Sequence, residues 1–203
     1  MDELTTLQSI HRAGKKEFLK KGFKSASLRS IVKDAGVTTG AFYGYYRSKE
    51  KLFEALVGEQ AEVMLERFEG AQREFAMLPP RLQKEEMGKI SGACMDWMLD
   101  YVYQHLEVFK LLILCSEGTK YEHFVHKMVE SEVKGTHKFI QSMHSLGQNL
   151  KEIDPQLEHI LITGMFNGFF EMVVHDMPKA QAVEYVKELR QFYTAGWQAV
   201  LGY

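Results

Sequence analysis

Apolar positions recur at helical spacing along almost the whole chain. Leu28, Ile31, Val32 and Ala35 fall at i, i+3, i+4 and i+7, one apolar face of a short helix. Ser27 stands where its hydroxyl can accept from an unpaired first-turn amide, and Gly36 stands where a left-handed residue stops a helix. Thr38 caps the next helix. There Phe42 and Tyr46 form a buried i, i+4 pair, leaving Thr38, Thr39, Gly40, Ala41, Tyr43, Gly44 and Tyr45 on the start and outer side. Upstream, Leu7, Ile10, Gly14 and Phe18 share a face of a helix running from Leu4 or Thr5 to Lys21, closed by Gly22. Downstream, Ser48 caps a long helix through Leu52, Phe53, Leu56, Met64, Leu65 and Phe68 towards Met77. Leu78-Pro79-Pro80 ends it, since proline lacks an amide donor and disfavours helix in the residue before it. Five further helices follow from Arg81, with breaks near His105 to Val108, Gly118-Thr119, Gly147-Gln148, Asp154-Pro155 and Met177-Pro178. No stretch carries a strand signal. The expected fold is all-α, about nine helices.

Two short helices around a tight corner, the second beginning with small and hydroxyl-bearing residues, suit close approach to a nucleic-acid groove, and exposed tyrosines suit phosphate contacts. Ile10 through Ala13, Phe18, Gly22-Phe23, Ser27, Ile31, Ala35-Gly36-Val37, Gly40, Tyr43, Tyr46, Lys49 and Leu52 make a many-point pattern of fixed spacing. By these residues the first quarter of the chain resembles the N-terminal domain of TetR-type transcriptional regulators. Thr39, Gly44 and Tyr45 depart from residues common there, which leaves the base preference open. The resemblance implies a helix-turn-helix at 27–46 within a three-helix DNA-binding domain at 1–50. A linking helix would join it to a helical ligand-binding and dimerisation domain at 51–203. The expected DNA face is Thr38, Thr39, Gly40, Ala41, Tyr43, Gly44, Tyr45 and Lys49, supported by Ser27 and Arg29. Thr39, Ala41, Gly44 and Tyr45 would meet base edges; Thr38, Tyr43 and Lys49 would hold phosphates.

Charge is divided along the chain in the same way. The net charge of −2 combines +6 over residues 1–51, with eleven Lys and Arg against five Asp and Glu, and −8 over the remainder. A basic segment attracts phosphates and gains from counterion release, whereas an acidic body does not wrap nucleic acid. A solvated basic helix face would show the same balance. At 203 residues and 45% hydrophobic, with four prolines, the chain is long enough for one well-buried domain and a small appended one. The acidic, polar start from Met1 to Thr6 does not read as a secretory signal, and no stretch reaches eighteen uninterrupted apolar residues, so the expected location is cytoplasmic with no membrane partner. Cys94 and Cys115 lack metal or redox spacing and lie within apolar patterns, as buried free thiols do.

Between Met95 and Cys115 the chain holds more apolar surface than one stripe requires. Together with the resemblance, this suggests that Trp97, Met98, Tyr101, Phe109, Leu112, Phe139, Met143, Phe166 and Phe170 line a pocket for a small apolar or amphipathic effector. The same side chains would equally make ordinary core. The eighth helix is apolar nearly all round, and Gly164 and Gly168 at i, i+4 permit a close helix approach. A homodimer seam is therefore expected at Leu161, Gly164, Gly168, Phe192 and Trp197, which would set two readers on a palindromic operator. Glu122 with His123 and His126, and Glu171 with His175, could each share a helix face, but the repeated Glu-x-x-His of a di-metal bundle is absent. No spacing singles out a catalytic arrangement, a metal site or a cofactor. The reading is a repressor released from its operator by a small molecule. The rivals are a DNA-bound interaction protein that senses no ligand, and a metal-binding or enzymatic helical bundle.

Overall fold

A computed structural model describes residues 5–202, in which nine α-helices and no strand are found. They are α1 (Thr6–Ser25), α2 (Leu28–Asp34), α3 (Thr39–Tyr45), α4 (Lys49–Met77), α5 (Pro80–Gln104), α6 (Leu106–Leu114), α7 (Phe124–Ser145), α8 (Pro155–Val174) and α9 (Lys179–Leu201). The all-α expectation holds, and each expected break separates two of them. Thr5 opens α1 in a reciprocal capping box with Gln8; the alternative start at Leu4 lies outside the described residues. Gly22 takes φ 71° and ψ 164°, so the helix bends where the sequence placed its end, and helical turns resume to Ser25. Gly36, at φ 68°, closes α2. Gln83, buried at the start of α5, donates to the Leu78 carbonyl at 3.1 Å across the proline break.

The chain forms two compact units. The first comprises residues up to Glu62 together with His105–Phe124. Its core is a triangle of Phe18, Phe23 and Phe53, with ring centroids 5.1–5.8 Å apart, extended by Ile10, Ile31, Phe42, Leu52 and Val57. Helix α6 packs on α1 and inserts Phe109, Leu111 and Leu112 here, each at most 1% exposed, while Phe23 N donates to Cys115 O at 3.0 Å. A boundary at residue 50 is therefore too early for this unit, and Phe109 and Leu112 are core side chains of it rather than lining for an effector pocket. A periodic apolar pattern cannot reveal this, because the non-helical turn at His105 (φ −125°, ψ 33°) redirects the chain between two segments that look alike in sequence.

The second unit comprises Val63–Gln104 and Val125 onward. Phe68 meets Phe166 edge-on at 5.3 Å, Phe75 meets Phe139 at 6.0 Å, and Met143, Phe139 and Leu150 form a small buried cluster. Among the described residues α8 alone has the length and apolar character of a membrane span. It nevertheless carries Glu158, which is buried and shares a 2.7 Å hydrogen bond with His137, and it packs against α9. Gly164 and Gly168 serve that contact. A Cβ at Gly164 would lie 2.9 Å from Tyr193 Oη, one at Gly168 would lie 3.4 Å from Leu189, and Tyr185 Oη donates to Gly168 O at 2.7 Å. Gly168 is thereby half-buried against α9 of the same chain, whereas Gly164 stays exposed with only the Tyr193 hydroxyl beside it.

Candidate nucleic-acid interface and helical cavity

Helix α3 is seven residues long, too short to persist on its own, so its neighbours must hold it. Thr38 Oγ1 accepts from Ala41 N at 3.1 Å and fixes its start. Phe42 is its one buried side chain, fully enclosed and flanked by the rings of Tyr43 and Tyr46 at 5.6 and 6.0 Å. Tyr46 closes the arrangement by bonding through its hydroxyl to His11 Nε2 on α1. Burial, and secondarily Lys15, lowers the pKa of His11, so this imidazole is neutral at neutral pH.

With Phe42 inward, the rest of α3 faces out. Thr38, Thr39, Gly40, Ala41, Tyr43, Gly44 and Tyr45 are all exposed, the two tyrosines by 52% and 51%. Arg29 is exposed on α2. Ser27 is half-buried and plays a local part, accepting from Ser30 N at 3.4 Å and donating its own amide to Glu17 at 3.0 Å. Arg47, exposed two residues after the end of α3, is not among the expected face residues; its signal in the sequence is a basic residue just past that helix and its cap.

Lys49 requires a correction. Its ammonium donates to the carbonyls of Phe23 (2.7 Å), Ala26 (3.0 Å) and Lys24 (3.4 Å) and lies 4.4 Å from the centre of the Phe23 ring. These carbonyls lie at the C-terminal end of α1, where helix carbonyls lack intrahelical partners and a cation is favoured. All three donors are engaged, so Lys49 ties the start of α4 to the α1–α2 corner and is not offered to a phosphate. Lys49→Met is expected to destabilise the first unit by about 1–3 kcal/mol, because charge-assisted bonds are lost and part-buried carbonyls are left unpaired. Denaturant unfolding measures that loss. The salt dependence of DNA binding should keep its slope, where a lost phosphate contact would lower it by about 0.9.

The second unit contains a cavity of about 360 Å³. Of the nine side chains expected to line one, Met98, Phe139 and Phe166 do. Met143 and Phe170 are core, while Trp97 and Tyr101 stack on each other at 4.8 Å outside it. Trp197, expected at the seam, lines the cavity instead, and Leu161 is half-buried and Phe192 72% exposed. The walls also include Phe68, Phe75, Met87, Met95, Met165 and Phe169. Polar groups come from Gln72, Glu132, Thr136, Arg190 and Tyr193, while exposed residues of α5 and α9 form its mouth. Gln72 donates to Glu132, whose carboxyl burial pushes up to about 7. The sequence offers no mark for these polar residues, since Gln72, Glu132, Thr136 and Arg190 sit near charged residues on ordinary amphipathic helices and Tyr193 lies in an apolar stripe.

The remaining acidic and histidine clusters pair locally: His175 with Glu171 at 2.9 Å, His123 with Glu122 at 3.1 Å and His126 with Glu130 at 3.5 Å. Among the described residues no three His, Cys, Asp or Glu converge as a metal site would require. Cys94 and Cys115 are free and buried, and burial raises both thiol pKa values.

Comparison with known proteins places this geometry. Residues 10–56 match the family described as bacterial regulatory proteins, tetR family. Over 63 residues the chain is 35% identical to the HTH-type transcriptional regulator UidR of Escherichia coli. That match covers 31% of this chain and 32% of UidR, so it spans about a third of the relative's length. Solved structures match over nearly the full length at lower identity. A transcriptional regulator of Aquifex aeolicus shares 19% identity over 94% of this chain and 99% of its own, with a TM-score of 0.55. A TetR-like regulator of a Rhodococcus species shares 18% over 100% of both chains, also at 0.55. Residues 10–56 thus match the segment that defines the tetR family of bacterial regulatory proteins, and the helical fold of nearly the whole chain is one that solved regulators share.

Proposed function

We propose that the protein is a cytoplasmic, sequence-specific DNA-binding transcriptional regulator. It acts as a homodimer on a palindromic operator, as a repressor released by a small molecule, and has no enzymatic role. The observation that carries this reading is α3 itself, a short helix anchored by one buried phenylalanine, with every other side chain facing out from the basic segment of residues 1–51. Thr39, Ala41, Gly44 and Tyr45 are assigned to base edges; Thr38, Tyr43 and Arg29 to phosphates, with Arg47 added and Lys49 removed. Selection from random duplexes by the intact chain should enrich a near-palindrome whose half-sites lie about one helical turn apart, or a multiple of it. Recovery of no common sequence would end the reading.

Pairing of two copies is supported by the apolar surface that α8 and α9 leave uncovered. Leu157, Ile160 and Val174 on α8 are exposed by 40–64%, and Phe192 on α9 is followed by the small exposed residues Ala195 and Ala199. Ile160→Arg is expected to shift the chain from dimer to monomer at micromolar concentration in sedimentation, with its helix content unchanged. A persistent dimer would place the interface elsewhere.

The cavity is the proposed effector site. Helix α4 carries Phe68, Ala71, Gln72 and Phe75 in its wall and begins at Lys49, which holds the α1–α2 corner. An effector that prefers a shifted α4 would lower DNA affinity by the factor by which DNA lowers effector affinity.

A further inference from the structure

The cavity of the second unit sets one carboxyl into an apolar wall. Glu132 of α7 lines it beside the aromatic and thioether faces of Phe68, Met98, Phe139 and Phe166. Gln72 of α4 donates to Glu132 Oε2 and is given room by Gly135, where a Cβ would collide with Gln72 Oε1. The groups facing Glu132 from the other elements do not neutralise it. On α5, Cys94 is a thiol whose pKa is pushed up to about 11, and Lys84 and Glu85 are exposed, with opposite charges, at the mouth. On α9, Arg190 is laid over Gly92 and directed at Asp96, 3.3 Å away, and Tyr193 is a phenol whose pKa burial raises. Arg67 of α4 stands over the Trp97 ring at 5.9 Å, and α8 contributes only Met165, Phe166 and Phe169.

We propose that Glu132 makes this cavity a receptor for hydrophobic cations, an aromatic or aliphatic body bearing one positively charged nitrogen. The inference rests on the reading of the cavity as the effector site. A carboxylate in low dielectric is stabilised most by an opposite charge, and the surrounding rings favour the same charge through their negative faces. An anionic ligand would face repulsion or require Glu132 to hold a proton, and a neutral one would leave the carboxylate without a counter-charge. Because burial holds the carboxyl at about 7, a cation should select the ionised form, and its affinity should rise with pH through neutrality.

Calorimetry on the intact chain with three probes of one shape tests this: (2-naphthylmethyl)trimethylammonium, 2-naphthylacetate and 2-naphthaleneethanol, at pH 6 and pH 8. The quaternary ammonium has no proton to lose, and no histidine lines the cavity. The cation should bind tightest, about tenfold tighter at pH 8 than at pH 6. Glu132→Gln should cost it tenfold or more and abolish the pH dependence, while alcohol binding persists and reports an intact cavity. Tighter binding of the acetate or the alcohol, or a cation affinity flat between the two pH values in the parent, overturns the proposal and leaves the cavity standing. Retained cation affinity in the variant does the same. Binding of none of the three at millimolar concentration removes the effector site and the proposal with it.

Discussion

Phe42→Ala is expected to destabilise the first unit by about 3–5 kcal/mol and to abolish operator binding. The size of the first effect follows from burial, since truncating an enclosed phenylalanine loses its transfer free energy and leaves a cavity that packed neighbours refill poorly. Phe42 is fully enclosed, and no other side chain of α3 is buried. The functional effect follows from helix length, because seven residues cannot stay helical without an anchor. Denaturant unfolding gives the first quantity and duplex binding the second. Parental affinity in a folded Phe42→Ala protein would show that α3 is held, or DNA is read, in some other way.

Glu132→Gln is expected to stabilise the second unit by up to about 3 kcal/mol above pH 7 and to change nothing below pH 4.5. The sign follows from the raised carboxyl. With a folded pKa of about 7 against 4.5 for the free side chain, the native state binds more protons than the unfolded chain between those values. Stability therefore falls as pH rises through that window, by about 1.4 kcal/mol per unit of displacement, and the deficit is constant above it. Glutamine cannot ionise and can still accept from Gln72, so the deficit vanishes in the variant. Melting curves of both proteins at pH 4, 6 and 8 measure it. An equal gap between parent and variant at all three would mean that Glu132 is not desolvated in the native state.

Much of the fold could be read from local chemistry. The caps at Ser27, Thr38 and Ser48, the left-handed glycines at 22 and 36 and the paired prolines at 79 and 80 act within a few residues of where they stand. The exposed side of α3 followed from one apolar pair. What escaped depends on which distant segment arrives. Lysine can reach a phosphate or cap a helix, and the three carbonyls that engage Lys49 lie 23–26 residues upstream. A pair of glycines permits a close helix approach without naming the helix, and at Gly168 it is α9 of the same chain that approaches. Phe109 and Leu112 carry the same periodicity as the cavity helices, yet the turn at His105 delivers them to the other unit. Gln72 and Glu132 are polar residues on amphipathic helices. Only the packing shows that they meet inside.

Whether α3 reads sequence is decided by comparing Tyr45→Ala with Tyr43→Ala on the selected duplex and on a scrambled one of equal length. Tyr45→Ala should lose about 1–3 kcal/mol on the selected duplex and little on the scrambled one, with relaxed preference at one base pair of each half-site. Tyr43→Ala should weaken both duplexes by similar factors, as a phosphate contact does. If both folded variants kept the parental affinity and the parental ratio between the two duplexes, the exposed face of α3 would not be the reading surface.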